Sequence, residues 1–276
     1  MSTNARLASL RELVHEPPTI TSWGAICDVL DDWPDGDSLN VGIGYVETHQ
    51  ERWPDAMRYA PWRWVALFLQ EDLDPRCRLI RTLIIEHRRL DAEQLRLLLR
   101  NARQVPLRCL ELACNRLGSK EVAAVIDSPA LEGLERLRLR ANPVTTGTLQ
   151  RLTEAPCLPT LQTLILDTCE VNGAGLSVLA TAPRARRLTA LKLNFNVIDD
   201  AGVEALAQAP LLRQLTALHL VGNQITDLGA QALADAPGAR GLEELELISN
   251  LLSSSGYATL RRSPHLKEVV KLRFGS

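Results

Sequence analysis

The side chains that invite a chemical reading in this chain are few, and geometry works against most of them. Cys109 and Cys114 are close in sequence, and paired thiols suggest a metal site or a disulfide. They fall in a segment that reads as extended, where each residue advances about 3.3 Å, so their Cα atoms lie roughly 15 Å apart. They can share neither a metal nor a bond. Glu86-His87 beside Arg88-Arg89 supplies acid and base groups. Adjacent strand residues point to opposite faces, however, and His87 is assigned to a turn. His219 has Lys192 and Glu246 as neighbours in the column described below; with no nucleophile or second acid beside it, it reads as a surface imidazole near a carboxylate. No P-loop, HExxH, GxSxG or zinc-type cysteine spacing occurs. The expectation is a protein without catalytic residues, metal or cofactor, and therefore no enzyme.

The elements that position these side chains follow a 27-residue period that runs without insertion or deletion. Copies begin at Ile80, Leu107, Leu134, Leu161, Leu188, Leu215, Leu242 and Val269, the last being a lone strand after seven full copies. A period of this length means one supersecondary unit stacked on the next. Positions 1, 4 and 6 are apolar in every copy, and the two-residue spacing of positions 4 and 6 is that of a strand. Position 9 is Asn115, Asn142, Asn196, Asn223 and Asn250, an amide able to satisfy backbone groups where the strand turns away. Cys169 stands there in one copy and Arg88 in another, and a thiol is the weaker hydrogen-bonding substitute. Glycine occupies position 15 as Gly175, Gly202, Gly229 and Gly256. Helix-forming stretches follow, and proline recurs at position 23 from Pro129 to Pro264, stopping each helix and sending the chain back. Gln94 and Glu121 replace glycine in the first two copies, which are expected to carry longer helices.

The consensus LxxLxLxxNxI…G…L…P resembles the leucine-rich repeat family, and its length and helical half look most like the ribonuclease-inhibitor and RanGAP-like subclass. The resemblance covers residues 80–276. It implies an α/β solenoid, curved, with a parallel sheet on the concave side and helices on the convex side. It also implies a non-enzymatic scaffold for protein–protein recognition. A GTPase-activating protein of RanGAP-like type is the alternative, although no loop signature for that role matches positions here.

Ahead of the array, residues 1–79 hold all five tryptophans and carry 7 Lys+Arg against 13 Asp+Glu, whereas residues 80–276 carry 24 against 20. That step divides the chain into a helical, Trp-rich N-terminal module (1–79) and the repeat array (80–276). Helices are expected at roughly 4–14, 22–32, 40–53 and 62–71, forming a bundle that caps the open end of the first repeat. The alternative is a second, acidic binding module. The N-terminus lacks an apolar signal region and no stretch has the length of a membrane span. Six cysteines without a paired framework fit reduced thiols, so a cytoplasmic location is expected, with no membrane partner.

Positions 3, 5 and 7 alternate with the buried leucines and should line the concave face. The residues marked there for partner binding are Glu111, Arg136, Arg138, Arg140, Asp167, Lys192, Asn194, His219, Glu244 and Glu246, with Phe195 beside them. Neighbouring strands lie about 4.8 Å apart, which allows Glu111 to pair with Arg138 and Arg140 with Asp167. The arginine row with an aromatic nearby has the composition of a protein hot spot. Acidic residues on both flanks argue against nucleic acid, so the expected partner is a protein. At the far end, Val270, Leu272 and Phe274 form an edge that invites homodimerisation.

Overall fold

The structure is a computed structural model and describes residues 2–34, 36–49, 53–266 and 271–273. It divides into two compact units, Met1–Ile84 with Asp91–Leu110, and Ile85–Leu90 with Glu111–Ser276.

The first unit opens with α1 (Thr3–Leu13), α2 (Ile20–Asp31), α3 (Asp37–Thr48) and α4 (Trp62–Phe68). Thr19 starts α2 through a reciprocal cap with Ser22, which satisfies otherwise orphaned N–H groups. Helix α3 lies earlier than the pattern suggested. It ends where Thr48 Oγ1 and His49 Nδ1 both turn back to the Tyr45 carbonyl, at 2.8 and 2.9 Å. Four tryptophans are buried, at positions 23, 33, 53 and 64, while Trp62 is exposed. Trp23 Nε1 donates to the Tyr59 carbonyl at 2.8 Å and Trp64 Nε1 to Asp31 at 2.6 Å, so the two indoles meet their polar obligation inside the core. The unit continues through β1 (Thr82–Ile84) and α5 (Ala92–Ala102) into β2 (Cys109–Glu111). Beside β1 runs the backbone of Arg58–Ala60: Arg81 and Thr82 donate to the Arg58 carbonyl, and Ala60 donates to the Thr82 carbonyl at 2.8 Å. One edge of β1 is thereby paired.

The second unit alternates helix and strand: α6 (Ser119–Ile126), β3 (Arg136–Arg138), α7 (Thr146–Glu154), β4 (Thr163–Ile165), α8 (Gly173–Ala180), β5 (Ala190–Lys192), α9 (Asp200–Gln208), β6 (Ala217–His219), α10 (Asp227–Asp235), β7 (Glu244–Glu246), α11 (Ser254–Arg262) and β8 (Lys271–Arg273). Strand order follows chain order. From β3 to β8 each strand pairs in parallel with the next, exactly one repeat length away, so that Leu137, Leu164, Leu191, Leu218, Leu245 and Leu272 share a row. The leucines at positions 1, 4 and 6 of the first seven copies are buried almost completely, together with Val125, Leu152, Leu179, Leu206, Leu233 and Leu260 from the helices. Each such side chain contributes about 1.5–3 kcal/mol on leaving water, which makes this layer the main source of stability.

Helix starts obey a rule that the sequence pattern had not exposed. Position 12 is the N-cap of every helix from α5 to α11, with side-chain caps from Asp91, Thr145, Asn172, Asp199, Thr226 and Ser253. Gly118 fills the position without a side-chain bond. The residues before Pro210 and Pro237, Ala209 and Ala236, are extended, as the proline ring demands of its predecessor, and this ends α9 and α10. Of the two longer helices expected, α5 runs 11 residues but α6 only 8; the SPAL turn that starts at Ser128 closes it early.

Candidate protein-binding face

The face of the sheet opposite the leucines is set by positions 3, 5 and 7. Structural duty removes some expected residues from it. Arg138 Nη1 donates to Glu86 Oε1 and to Glu111 Oε2, both at 2.9 Å. Partial burial works to lower the guanidinium's pKa, but the hydrogen bond and charge of Glu111, with Glu86 and Asp167, outweigh it and hold it above its usual value. The Glu111–Arg138 pair is therefore present, with Glu86 as a third member. The Arg140–Asp167 pair does not form among the described ion pairs: Asp167 Oδ1 instead accepts the Asn194 N–H at 2.9 Å, and Arg140 is exposed. Asn194 Oδ1 in turn accepts the Val221 N–H at 2.9 Å. Arg136 is exposed and Lys192 half-buried, and neither enters a described ion pair.

His219 is not a surface imidazole. It is 7% exposed, with Nε2 at 3.2 Å from Glu244 Oε2 and Nδ1 at 3.4 Å from Glu246 Oε2. A neutral imidazole carries one N–H and donates to only one of these carboxylates. Its strand neighbours are Lys192 and Glu246, as the spacing required. No group of three or more His, Cys, Asp or Glu among the described residues is placed to hold a metal. None of the six cysteines forms a disulfide. Burial pushes the Cys77 and Cys169 thiols up to about 12 and Cys157 to about 11, which keeps them protonated and unreactive.

Each strand leaves the sheet through a turn that the pattern did not reveal. Position 8 has positive φ in all seven copies: His87, Cys114, Ala141, Thr168, Phe195, Gly222 and Ser249. Its N–H donates to the position-7 carbonyl of the following copy, from His87 to Ala113 (3.2 Å) through Gly222 to Ile248 (2.9 Å). Phe195 is 60% exposed, and its ring lies over Gly222, where an added Cβ would meet it at 2.5 Å. Position 9 then locks the stack. Asn196 Nδ2 donates to the Leu166 carbonyl at 2.9 Å, while its Oδ1 accepts Cys169 N–H and Val171 N–H, each at 3.0 Å. Asn142, Asn223 and Asn250 make the same bond to a carbonyl of the preceding copy, and the Oδ1 of each accepts one described N–H, from Leu117, Ile198 and Ile225.

A leucine-rich repeat family model matches residues 186–207 and 212–234, the stretch from β5 through α10. Among solved structures, a Bacteroides fragilis protein is similar at 14% identity and a TM-score of 0.52, over 83% of this chain and 76% of its own. The chain has the leucine-rich repeat fold. An internalin from Listeria monocytogenes is also similar, at 18% identity and a TM-score of 0.43 over 75% of this chain, which spans 51% of the internalin's length. No curated protein matches.

With the repeat established, the residues that carry it separate cleanly from those left free. The asparagines, the N-caps and the leucines are spent on the stack. Arg136, Arg140, Lys192 and Phe195 are not. Three further free arginines lie in the strand-exit turns, Arg88 and Arg89 in the first repeat and Arg116 in the second, all exposed. They were visible in the sequence at positions 9 and 10, but only the turn geometry gives them a common edge. Val270 and Phe274 fall outside the described residues, while Leu272 lies in β8 in register with Leu245. On the helix side, a groove of about 690 Å³ is lined by Asp200, Glu204, Gln208, Leu228, Gln231 and neighbours. No described helix is long and apolar enough to cross a membrane.

Proposed function

We propose that this leucine-rich repeat protein is a non-enzymatic recognition scaffold that binds a protein partner on the open face of its sheet. One observation carries the reading: Arg136 and Lys192 sit on that face free of described ion pairs, while the neighbouring Arg138 is held by Glu86 and Glu111. Charged groups without an ion pair inside the fold are available for complementarity. The helix on every repeat also favours the ribonuclease-inhibitor and RanGAP-like subclass.

The test is substitution by face. Arg136→Glu with Lys192→Glu is expected to abolish partner capture, and Gln208→Glu with Gln231→Glu on the helix side to leave it unchanged. The reverse pattern rejects the open face. A second copy of the chain pairing along β8, the last strand of the sheet, is proposed alongside; sedimentation that finds only monomer at high concentration removes it. A GTPase-activating role predicts faster single-turnover GTP hydrolysis by a small GTPase, and the scaffold reading predicts no change.

A further inference from the structure

The strand-exit edge of the first three repeats concentrates positive charge that the fold does not neutralise. Arg88, Arg89, Arg116 and Arg140 are exposed, and none of the described ion pairs or side-chain hydrogen bonds engages their guanidinium groups. Acids nearby are already committed: Glu86 and Glu111 to Arg138, and Asp167 to the Asn194 N–H. Some exposed arginines elsewhere do find carboxylates, as Arg96 does with Glu71 and Glu93 and Arg151 with Asp127.

The backbone beneath the four arginines is fixed. His87 N–H donates to the Ala113 carbonyl at 3.2 Å and Cys114 N–H to the Arg140 carbonyl at 2.9 Å, and Asn115 Oδ1 accepts the Arg88 N–H at 3.0 Å. Arg89 and Arg116 themselves have φ of 53° and 58°. Successive turns repeat at roughly 4.8 Å, so like charges in adjacent repeats repel until an anion lies between them. A rigid backbone presenting unneutralised guanidinium groups is preorganised for carboxylates, which arginine binds in bidentate fashion.

We propose that this edge docks an acidic segment of the protein partner, an inference that rests on the scaffold reading above. Carboxylates on one face of an extended segment recur about every 6.8 Å, a spacing that long arginine side chains span. A nucleic acid fits less well, because the same edge continues into Glu170 and then into the exposed apolar residues Phe195, Val197 and Leu251. That sequence of basic, acidic and apolar surface suits a folded or extended polypeptide, not a phosphate track.

The test uses the full chain and a fluorescein-labelled octaglutamate peptide, with octaglutamine and a single-stranded oligonucleotide of equal charge as comparisons, read by anisotropy at several salt concentrations. Octaglutamate is expected to bind and to weaken with salt, and octaglutamine not to bind. The triple variant Arg88→Glu, Arg89→Glu, Arg116→Glu should weaken octaglutamate by about tenfold or more, consistent with loss of several rim contacts. Arg187→Glu with Arg261→Glu, exposed arginines away from this edge, should leave binding within about twofold. Equal weakening by both variants, or tighter binding of the oligonucleotide than of octaglutamate, overturns the inference. So does undiminished partner capture by the triple variant when Arg136→Glu with Lys192→Glu abolishes capture; that outcome leaves the scaffold reading standing.

Discussion

Asn196 shows how much one repeated side chain can carry. Its amide satisfies two backbone N–H groups and one carbonyl across the boundary between repeats. Asn196→Cys keeps the size and the donor but removes the acceptor of both N–H groups, and is expected to cost about 2–4 kcal/mol, measured by urea unfolding. The converse change gauges the same bond. Cys169 Sγ lies 3.3 Å from the Leu139 and Asp167 carbonyls, with one S–H to offer between them, and the Val144 N–H turns to the Cys169 carbonyl at 2.8 Å. Cys169→Asn should therefore stabilise by roughly 0.5–1.5 kcal/mol. Position 8 offers a second residue-scale test. Ala141 has φ of 56°, a conformation that disfavours a Cβ by about 1–2 kcal/mol, so Ala141→Gly should raise the unfolding midpoint slightly. Gly222→Ala should lower it, because its Cβ would meet the Phe195 ring at 2.5 Å. The asparagine row could be read from sequence because one residue type fills it. The left-handed position could not: His, Cys, Ala, Thr, Phe, Gly and Ser occupy it in turn, and the ladder bonds on either side impose its conformation whatever the side chain. Burial of His219 was hidden for a similar reason, since it depends on Glu244 and Glu246 in the next repeat.

Elements in this array are spaced by small residues at the helix starts. A Cβ on Gly202 would stand 2.5 Å from the Gly173 Cα, backbone that cannot swing aside, and one on Gly256 would stand 2.2 Å from Asp227 Oδ1. Gly202→Ala is expected to destabilise by about 1–3 kcal/mol, read from thermal unfolding, with Gly147→Ala as a control because only Thr145 lies within 4 Å of its added Cβ. Position 13 ties one helix start to the next. Asp227 Oδ1 accepts the Ser253 N–H at 2.8 Å and Oδ2 the Ser253 hydroxyl at 2.5 Å, and these bonds hold its carboxyl below the ordinary 3.8. A depressed folded-state value contributes stability above that pH and loses it as pH falls through the folded value. Asp227→Asn should accordingly flatten the acid limb of the stability profile below about pH 4. The glycine period was plain in the sequence, whereas its cause was not, because the clash lies between residues 29 apart, in successive repeats.

At the scale of the whole molecule, the fixed repeat length separates two kinds of surface. Leucines, asparagines, glycines and caps are consumed by the stack, whereas Arg136, Arg140 and Lys192 between them enter no described ion pair. That division was legible as soon as residues were placed on the period. Ion pairing on the open face was legible only in part, because charge pattern does not say which of two acids an arginine will take or which carboxylate will prefer a backbone N–H. The tryptophan-rich N-terminal module is proposed as a cap, with Arg58–Ala60 pairing the edge of β1. The central claim is that a protein partner meets the open face of the sheet. It is tested most directly by placing a photo-crosslinking residue at Lys192 and, separately, at Gln208, and recovering the adduct after illumination. The account predicts one partner adduct from position 192 and none from position 208; an adduct from 208 alone would contradict it.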